Sequence, residues 1–141
     1  MKSKKKEIKP TIATENEQKK RWKVVLYKTA EGKCPVSNFL ISLSEKDFAD
    51  ITKGIEYLRA VGNDIRRPHG ALLRDKIYEL RIPILNNQTR TLYFFCYNDY
   101  IVLTNSFIKK TDKVPENEIK KAIKYREDFL ERFTKETIEG V

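Results

Sequence analysis

The sequence has little of what several familiar enzyme classes need. It contains one histidine and two cysteines, Cys34 and Cys96, which lie too far apart for a C-x-x-C redox or zinc motif. Two cysteines are also too few for a disulfide scaffold, so both are predicted to be reduced thiols. The chain lacks a Walker loop, G-x-G-x-x-G, G-x-S-x-G and any His, Cys or carboxylate cluster with metal-ligand spacing. We therefore expect neither a metal-dependent nor a triad hydrolase, and no cofactor.

Long apolar runs are absent as well, and acidic residues are outnumbered by basic ones. No stretch approaches the roughly 20 apolar residues that span a bilayer, and the N-terminus has no apolar segment typical of a signal peptide. We expect a cytoplasmic protein with no membrane partner. The 20 Asp plus Glu oppose 29 Lys plus Arg, which gives a net charge of +9. This excess indicates an acidic partner, either a nucleic acid or an acidic protein.

Charge and composition divide the 141 residues into three parts. The first 23 residues hold nine basic side chains, three acidic ones and almost no large apolar groups. Residues 1–21 are therefore predicted to be a mobile, basic N-terminal tail, either a phosphate-seeking arm or a solvated extension. Residues 22–134 are predicted to form one folded domain, and residues 135–141 a C-terminal tail.

The apolar pattern predicts an α+β domain with the order β-α-α-β-β-β-α. A β-branched and aromatic run predicts the first strand at residues 23–29. Two helices follow, with Pro35 at the first helical position, a capping-box-like S-x-x-D at Ser44, and an end at Gly62. The remaining strands are predicted at 76–84, 89–97 and 100–108, and Pro115 opens the last helix.

The three later strands are predicted to form an antiparallel sheet with the first strand beside them. Residues 89–97 carry apolar side chains on both faces of the strand, so this strand is expected in the centre of the sheet, buried on both sides. We expect the helices to cover one face of the sheet. The opposite face, where Arg81 and Arg90 emerge, is predicted to be open to a ligand.

Cations at strand ends are the chemical feature that the sequence does offer. Arginine on a rigid strand can hold a phosphate bidentately, and cations stabilise the charge that builds on a five-coordinate phosphorus. RNA supplies its own nucleophile, the 2′-hydroxyl, so it can be cleaved without a metal or a protein nucleophile. These cations therefore suit a metal-independent endoribonuclease. They are Arg74, Lys76, Arg81, Arg90, Lys109, Lys110 and Lys113.

Arg90 stands out among these cations, because a charge inside an apolar strand is costly unless it is paired or used. The alternative is a structural ion pair in which Glu79 or Asp75 binds Arg81 or Arg90 across the strands. His69, which precedes a glycine, is a further candidate as an RNA contact or as a general acid or base.

Three ordered motifs resemble a known family. They read I-Y-E-L-R at 77–81, R-x-L-Y-F-F at 90–95 and I-V-L-T-N-S-F-I-K-K-T at 101–111, followed by V-P and a helix. In this order they are similar to the phage-derived, HigB-like branch of the RelE/ParE toxin superfamily, over about residues 22–133. The resemblance implies a RelE-like fold and the toxin of a type II toxin–antitoxin system. It further implies a ribosome-dependent mRNA endoribonuclease, an mRNA interferase that inhibits translation and is neutralised by a cognate helix-turn-helix antitoxin.

The resemblance also implies which residues act. Arg90 matches the arginine that contacts the scissile phosphate in RelE-like members, and Lys110 lies closest to their second catalytic cation. The implied catalytic residues are Arg90, Lys110, Lys109 and Arg81. The candidate RNA-binding residues beside them are Arg74, Lys76, Lys113 and His69.

The chain departs from the family pattern after the last strand. Some relatives carry a tyrosine or histidine there, whereas residues 111–114 read T-D-K-V, so the general base is unassigned. Tyr93 and Tyr97 are candidates for stacking on a base, although a position in a two-sided apolar strand favours the core. Two alternatives stay open: a ParE-like poison of DNA gyrase, and a catalytically silent module that binds RNA or the antitoxin.

Overall fold

A five-stranded mixed sheet forms the middle layer of the protein. The computed structural model describes residues 21–140, so the predicted basic tail lies outside the described residues apart from Arg21. Across the sheet the strands follow the order β1-β5-β4-β3-β2. Neighbours are antiparallel except β1, which pairs in parallel with β5. The strands are β1 (Lys23–Leu26), β2 (Gly70–Arg74), β3 (Ile77–Ile84), β4 (Asn87–Cys96) and β5 (Tyr100–Lys109).

Three helices pack on this sheet, and the helix boundaries that the sequence predicts are confirmed. Pro35 stands at the start of α1, and the Ser44 hydroxyl accepts a hydrogen bond from the backbone N–H of Asp47 at 3.1 Å, which caps α2. Gly62 ends α2 with a φ of +54°. None of the helices within residues 21–140 is long and apolar enough to cross a membrane. The helices are α1 (Pro35–Ile41), α2 (Glu45–Val61) and α3 (Glu116–Arg132).

Helices cover both faces of the sheet, which corrects the prediction of cover on one face. One core cluster joins α1 and α2 to the face that carries Leu80 and Tyr93. A second cluster joins α3 to the opposite face, where Leu92 and Phe94 are buried. The physical reason lies in β4 itself, because a strand that is apolar on both faces needs a layer on each side.

The sheet differs from the prediction in two further ways. It is mixed, because β1 runs parallel to β5, and the connection between these two strands contains α1, α2 and the other three strands. It also has an additional strand, β2, between the end of α2 and residue 76, where the sequence predicts no strand. This edge strand is short and irregular, with a register shift between Leu72 and Arg74, so it lacks a clear alternating pattern.

The other strand predictions are confirmed to within three residues at each end. The side chains of β3 alternate between the two faces: Leu80 and Ile82 belong to the cluster under α1 and α2, whereas Ile77 belongs to the cluster under α3. Beyond α3 the chain returns to the sheet, and Ile138 is buried among the residues of the α3 cluster. The α3 side of the sheet is therefore covered only where these segments lie, and it is open near the first turn of α3.

Candidate functional site

Two arginines and one glutamate form a compact group on the α3 face of the sheet. Arg81 on β3 lies directly opposite Arg90 on β4. Oε2 of Glu79 accepts a hydrogen bond from Nε of Arg81 at 3.0 Å, and Oε1 of Glu79 lies 3.0 Å from Nε of Arg90. One carboxylate therefore holds two guanidinium groups. This is the ion pair foreseen as a structural alternative, with Glu79 serving both arginines.

Arg90 is the buried member of this group. Its side chain is 8% exposed, against 26% for Arg81, and its Nη1 donates to the backbone oxygen of Thr89 at 2.9 Å. Within the described residues, Nε of Arg90 and Oε1 of Glu79 have no hydrogen-bond partner, so their contact is an ion pair without hydrogen-bond alignment. Burial lowers the pKa of Arg90 and the Glu79 carboxylate opposes this effect. An arginine stays charged under such conditions.

The two arginines open onto a cleft of about 520 Å³ between the sheet and the start of α3. This volume is in the range of small-ligand sites. Basic side chains outnumber acidic ones around it, so the cleft attracts anions. The basic residues are Arg67, Arg74, Arg81, Arg90, Lys109 and Lys113, and the acidic ones are Glu79, Asp112 and Glu116.

The rim of the cleft is fixed by ion pairs to the start of α3. Arg74, at the end of β2, binds both Asp75 and Glu116. On the other side of the first turn, Nδ2 of Asn105 donates to Oε1 of Glu118 at 2.8 Å. Asp75 therefore pairs with Arg74 and not with the two central arginines. Acidic residues in the first turn also favour the helix dipole.

The cleft brings together part of the predicted site. Lys109 lies at the end of β5 and lines the cleft, whereas the next residue, Lys110, is not among the lining residues. Lys76 lines a separate groove beside Arg126. His69 lies at the edge of the sheet, where its ring is 5.1 Å from that of Tyr57. The predicted residues that share the cleft are Arg74, Arg81, Arg90, Lys109 and Lys113.

Sequence reasoning did not single out several residues of the cleft. Glu79 was considered only as a structural partner, although its place two residues before Arg81 on the same strand face is a readable signal. Arg67, Asp112 and Glu116 come from loops or a helix end, and only the fold brings them to the cleft.

Other side chains with chemical potential lie outside the cleft. Tyr93 is fully buried in the core, as predicted for a central strand, and burial raises its pKa. The Tyr97 hydroxyl donates to the backbone oxygen of Phe133 at 2.6 Å. Both cysteines are free, and burial raises the pKa of Cys96 to about 11. Within residues 21–140 there is no group of three or more His, Cys, Asp or Glu that could hold a metal ion.

The sequence matches the model of the family described as phage derived protein Gp49-like (DUF891) over residues 38–127. The chain belongs to the Gp49-like family. The match begins in α1, ends in α3 and includes every residue that lines the cleft of this Gp49-like protein. No curated protein matches the sequence. The family agrees with the phage-derived character of the resemblance, and the HigB-like branch is taken up below as part of the proposal.

Proposed function

We propose that this Gp49-like protein is the toxin of a type II toxin–antitoxin system, of the HigB-like branch, and a ribosome-dependent mRNA endoribonuclease. One observation carries the proposal: Arg81 and Arg90 are held side by side by Glu79 and open onto a cleft of positive character. A phosphodiester is the ligand that two neighbouring guanidinium groups match best, because each can offer two N–H donors to phosphate oxygens.

In the proposed reaction the RNA supplies the nucleophile. The 2′-oxygen attacks the adjacent phosphorus, the bond to the 5′-oxygen breaks, and the products are a 2′,3′-cyclic phosphate and a 5′-hydroxyl. The hydroxyl loses its proton to a base and the 5′-oxygen gains one. Arg81 and Arg90 bind the non-bridging oxygens, whose charge grows in the transition state. Glu79 is a positioning residue and not the base, because both of its oxygens face guanidinium groups.

The cleft cations around this pair are proposed to guide the RNA. Lys109 and Lys113 lie at the end of β5 and in the loop after it, and Arg74 lies on the opposite rim. Contacts of this kind bind the phosphate backbone of any sequence and weaken as salt rises. Lys76, Lys110 and His69 lie outside the cleft, and Lys76 and Lys110 would contact RNA only along its flanks.

Primer extension on an mRNA in a purified translation system tests the proposal. New 5′ ends should appear when ribosomes, mRNA and the protein are present together, and they should be absent without ribosomes. Arg90→Ala should abolish them. Lys46→Ala is the matched control, because Lys46 is an exposed cation on α2, paired with Asp50 and outside the cleft.

Two other outcomes would favour the alternatives. Normal mRNA together with inhibited supercoiling by purified DNA gyrase would favour a ParE-like poison. Salt-dependent RNA binding without any new ends would favour a silent RNA-binding or antitoxin-binding module. The proposed neutralising partner is a cognate helix-turn-helix antitoxin, and its co-expression should restore growth and copurify with the protein.

A further inference from the structure

A second, smaller cavity lies on the other face of β3 from the basic cleft. It measures about 250 Å³ and lies between α2 and the edge of the sheet. Leu80 and Ile82, both buried, form its floor. Tyr57 and His69 stand at its rim with ring centroids 5.1 Å apart and ring planes at 58°.

This cavity, called here the ring slot, is defined by Lys53, Tyr57, His69, Leu80, Arg81 and Ile82. Tyr57 is 43% exposed, although a tyrosine ring on a helix that packs on a sheet would gain by burial. Part of its surface is thus accessible to a ligand. Lys53 lies one helical turn before Tyr57 and adds a positive charge at the same rim.

Arg81 connects the ring slot to the basic cleft. It is the residue that lines both cavities, and its backbone N–H donates to the backbone oxygen of His69 at 2.8 Å. The ring slot therefore adjoins the residue whose guanidinium is proposed to bind a phosphate. A nucleotide likewise carries its planar base and its phosphate on one sugar, a short distance apart.

We propose that the ring slot binds one nucleobase of the RNA, from a nucleotide that adjoins the phosphate held by Arg81. The base stacks on Tyr57 and His69 over the apolar floor, and Lys53 binds a neighbouring phosphate. Aromatic stacking of unpaired bases is the usual mode of single-stranded RNA recognition. This inference rests on the proposed function for the identity of the ligand, and it adds a base-binding subsite to the cleft.

The test measures binding and does not need cleavage. The full chain is titrated into a fluorescein-labelled oligoadenylate with 2′-O-methyl groups, which block the nucleophile, and into an abasic oligomer of equal length. Tyr57→Ala should weaken binding of the oligoadenylate about five- to a hundredfold, the range for one stacked base, and leave binding of the abasic oligomer unchanged. Tyr57→Phe should bind like the wild type.

Matched variants separate stacking from charge and from folding. Phe48→Ala removes a comparably exposed ring, 44% exposed, from the same helix outside the ring slot and should change neither affinity. Arg81→Ala should weaken binding of both oligomers. Circular dichroism and thermal unfolding establish that each variant is folded.

The inference is overturned if Tyr57→Ala weakens binding of both oligomers equally or of neither. It is also overturned if the wild type binds neither oligomer. The proposed function fails in a different way. If translated mRNA stays intact while Tyr57→Ala still discriminates the two oligomers, the nuclease proposal is wrong and the ring slot stands. If Arg90-dependent cleavage occurs but Tyr57→Ala does not discriminate them, only the ring slot is wrong.

Discussion

Arg81 and Arg90 face each other on neighbouring antiparallel strands, in a position where like charges ordinarily repel, and they are held there by the carboxylate of Glu79. Directly opposed like charges destabilise a sheet. The buried carboxylate offsets part of this repulsion, and an incoming phosphate would offset more of it. Glu79 thus compensates part of the repulsion between the two cations in the protein without a ligand.

Replacing Glu79 with glutamine should therefore reduce stability. The change leaves Arg90 buried without a countercharge beside Arg81, and breaking a buried pair in this way costs about 3–5 kcal/mol. Urea unfolding followed by circular dichroism measures the loss. In the double variant Glu79→Gln/Arg90→Leu most of the loss should be recovered, because the unpaired buried charge is gone. A loss below about 0.5 kcal/mol for the single variant, typical of surface sites, would show that the pair is not a buried unit.

Arg90→Lys should lose activity although it keeps the charge. Lysine cannot present the planar pair of donors that a phosphodiester accepts. We expect a fall in the single-turnover cleavage rate of about 10²–10³, as for removal of one transition-state donor in other enzymes. The rate is read from primer extension over time in the translation system. A rate within about threefold of the wild type would mean that Arg90 acts only through its charge and not through its planar pair of donors.

Lys109 and Lys110 give a comparison that is matched in residue type and net charge. Lys109 lines the cleft and Lys110 does not, so Lys109→Ala should slow cleavage about tenfold or more at limiting protein, as expected for loss of one charge-assisted contact to a phosphate. Lys110→Ala should have the smaller effect. The same time-resolved primer extension measures both. The reverse order would favour the assignment implied by the family resemblance, in which Lys110 is nearest the second catalytic cation.

Tyr27 should make stability depend on alkaline pH. Burial, together with the hydrogen bond of its hydroxyl to Asp128 at 2.6 Å, raises its pKa to about 12. The folded state thus favours the neutral phenol, so this contribution is complete below pH 10, the ordinary pKa, and is lost as pH rises through 12.

At pH 11.5 the loss from Tyr27 should reach about 2 kcal/mol relative to pH 9. Urea unfolding of the wild type and of Tyr27→Phe at both pH values isolates the contribution of Tyr27, because the other titrating groups are common to the two proteins. The free energy of unfolding should fall less in Tyr27→Phe. Equal falls would mean that Tyr27 ionises as readily in the folded chain as in the unfolded one.

Local patterns were sufficient for most of the secondary structure. Pro35, Ser44 and Gly62 act through the backbone within a few residues, so their sequence signals predict the helix ends. The central place of β4 followed from its two apolar faces. Two apolar faces also require helices on both sides of the sheet, so the prediction of helices on one face was wrong.

Features of the fold that depend on distant residues were harder to predict from the sequence. Strand β2 carries a register shift and sits at an edge, where half of its backbone groups need no partner strand. The cleft combines Arg67, from a loop, with Glu116, from the start of α3, and no short-range pattern relates positions so far apart. Arg81 and Arg90 were recognisable because a charge within an apolar strand is itself an anomaly.

The parallel pairing of β1 with β5 delays completion of the sheet during synthesis. Lys23 pairs with Tyr100, so β1 emerges first and waits for its neighbour until 77 more residues have been added. At ordinary rates of synthesis this takes about 4–15 s. The hairpin of β3 and β4, which carries both arginines, is synthesised before β5. A nascent chain thus carries the proposed phosphate-binding pair before the sheet is complete. The proposed RNA cleavage requires β5 and α3 to be synthesised as well.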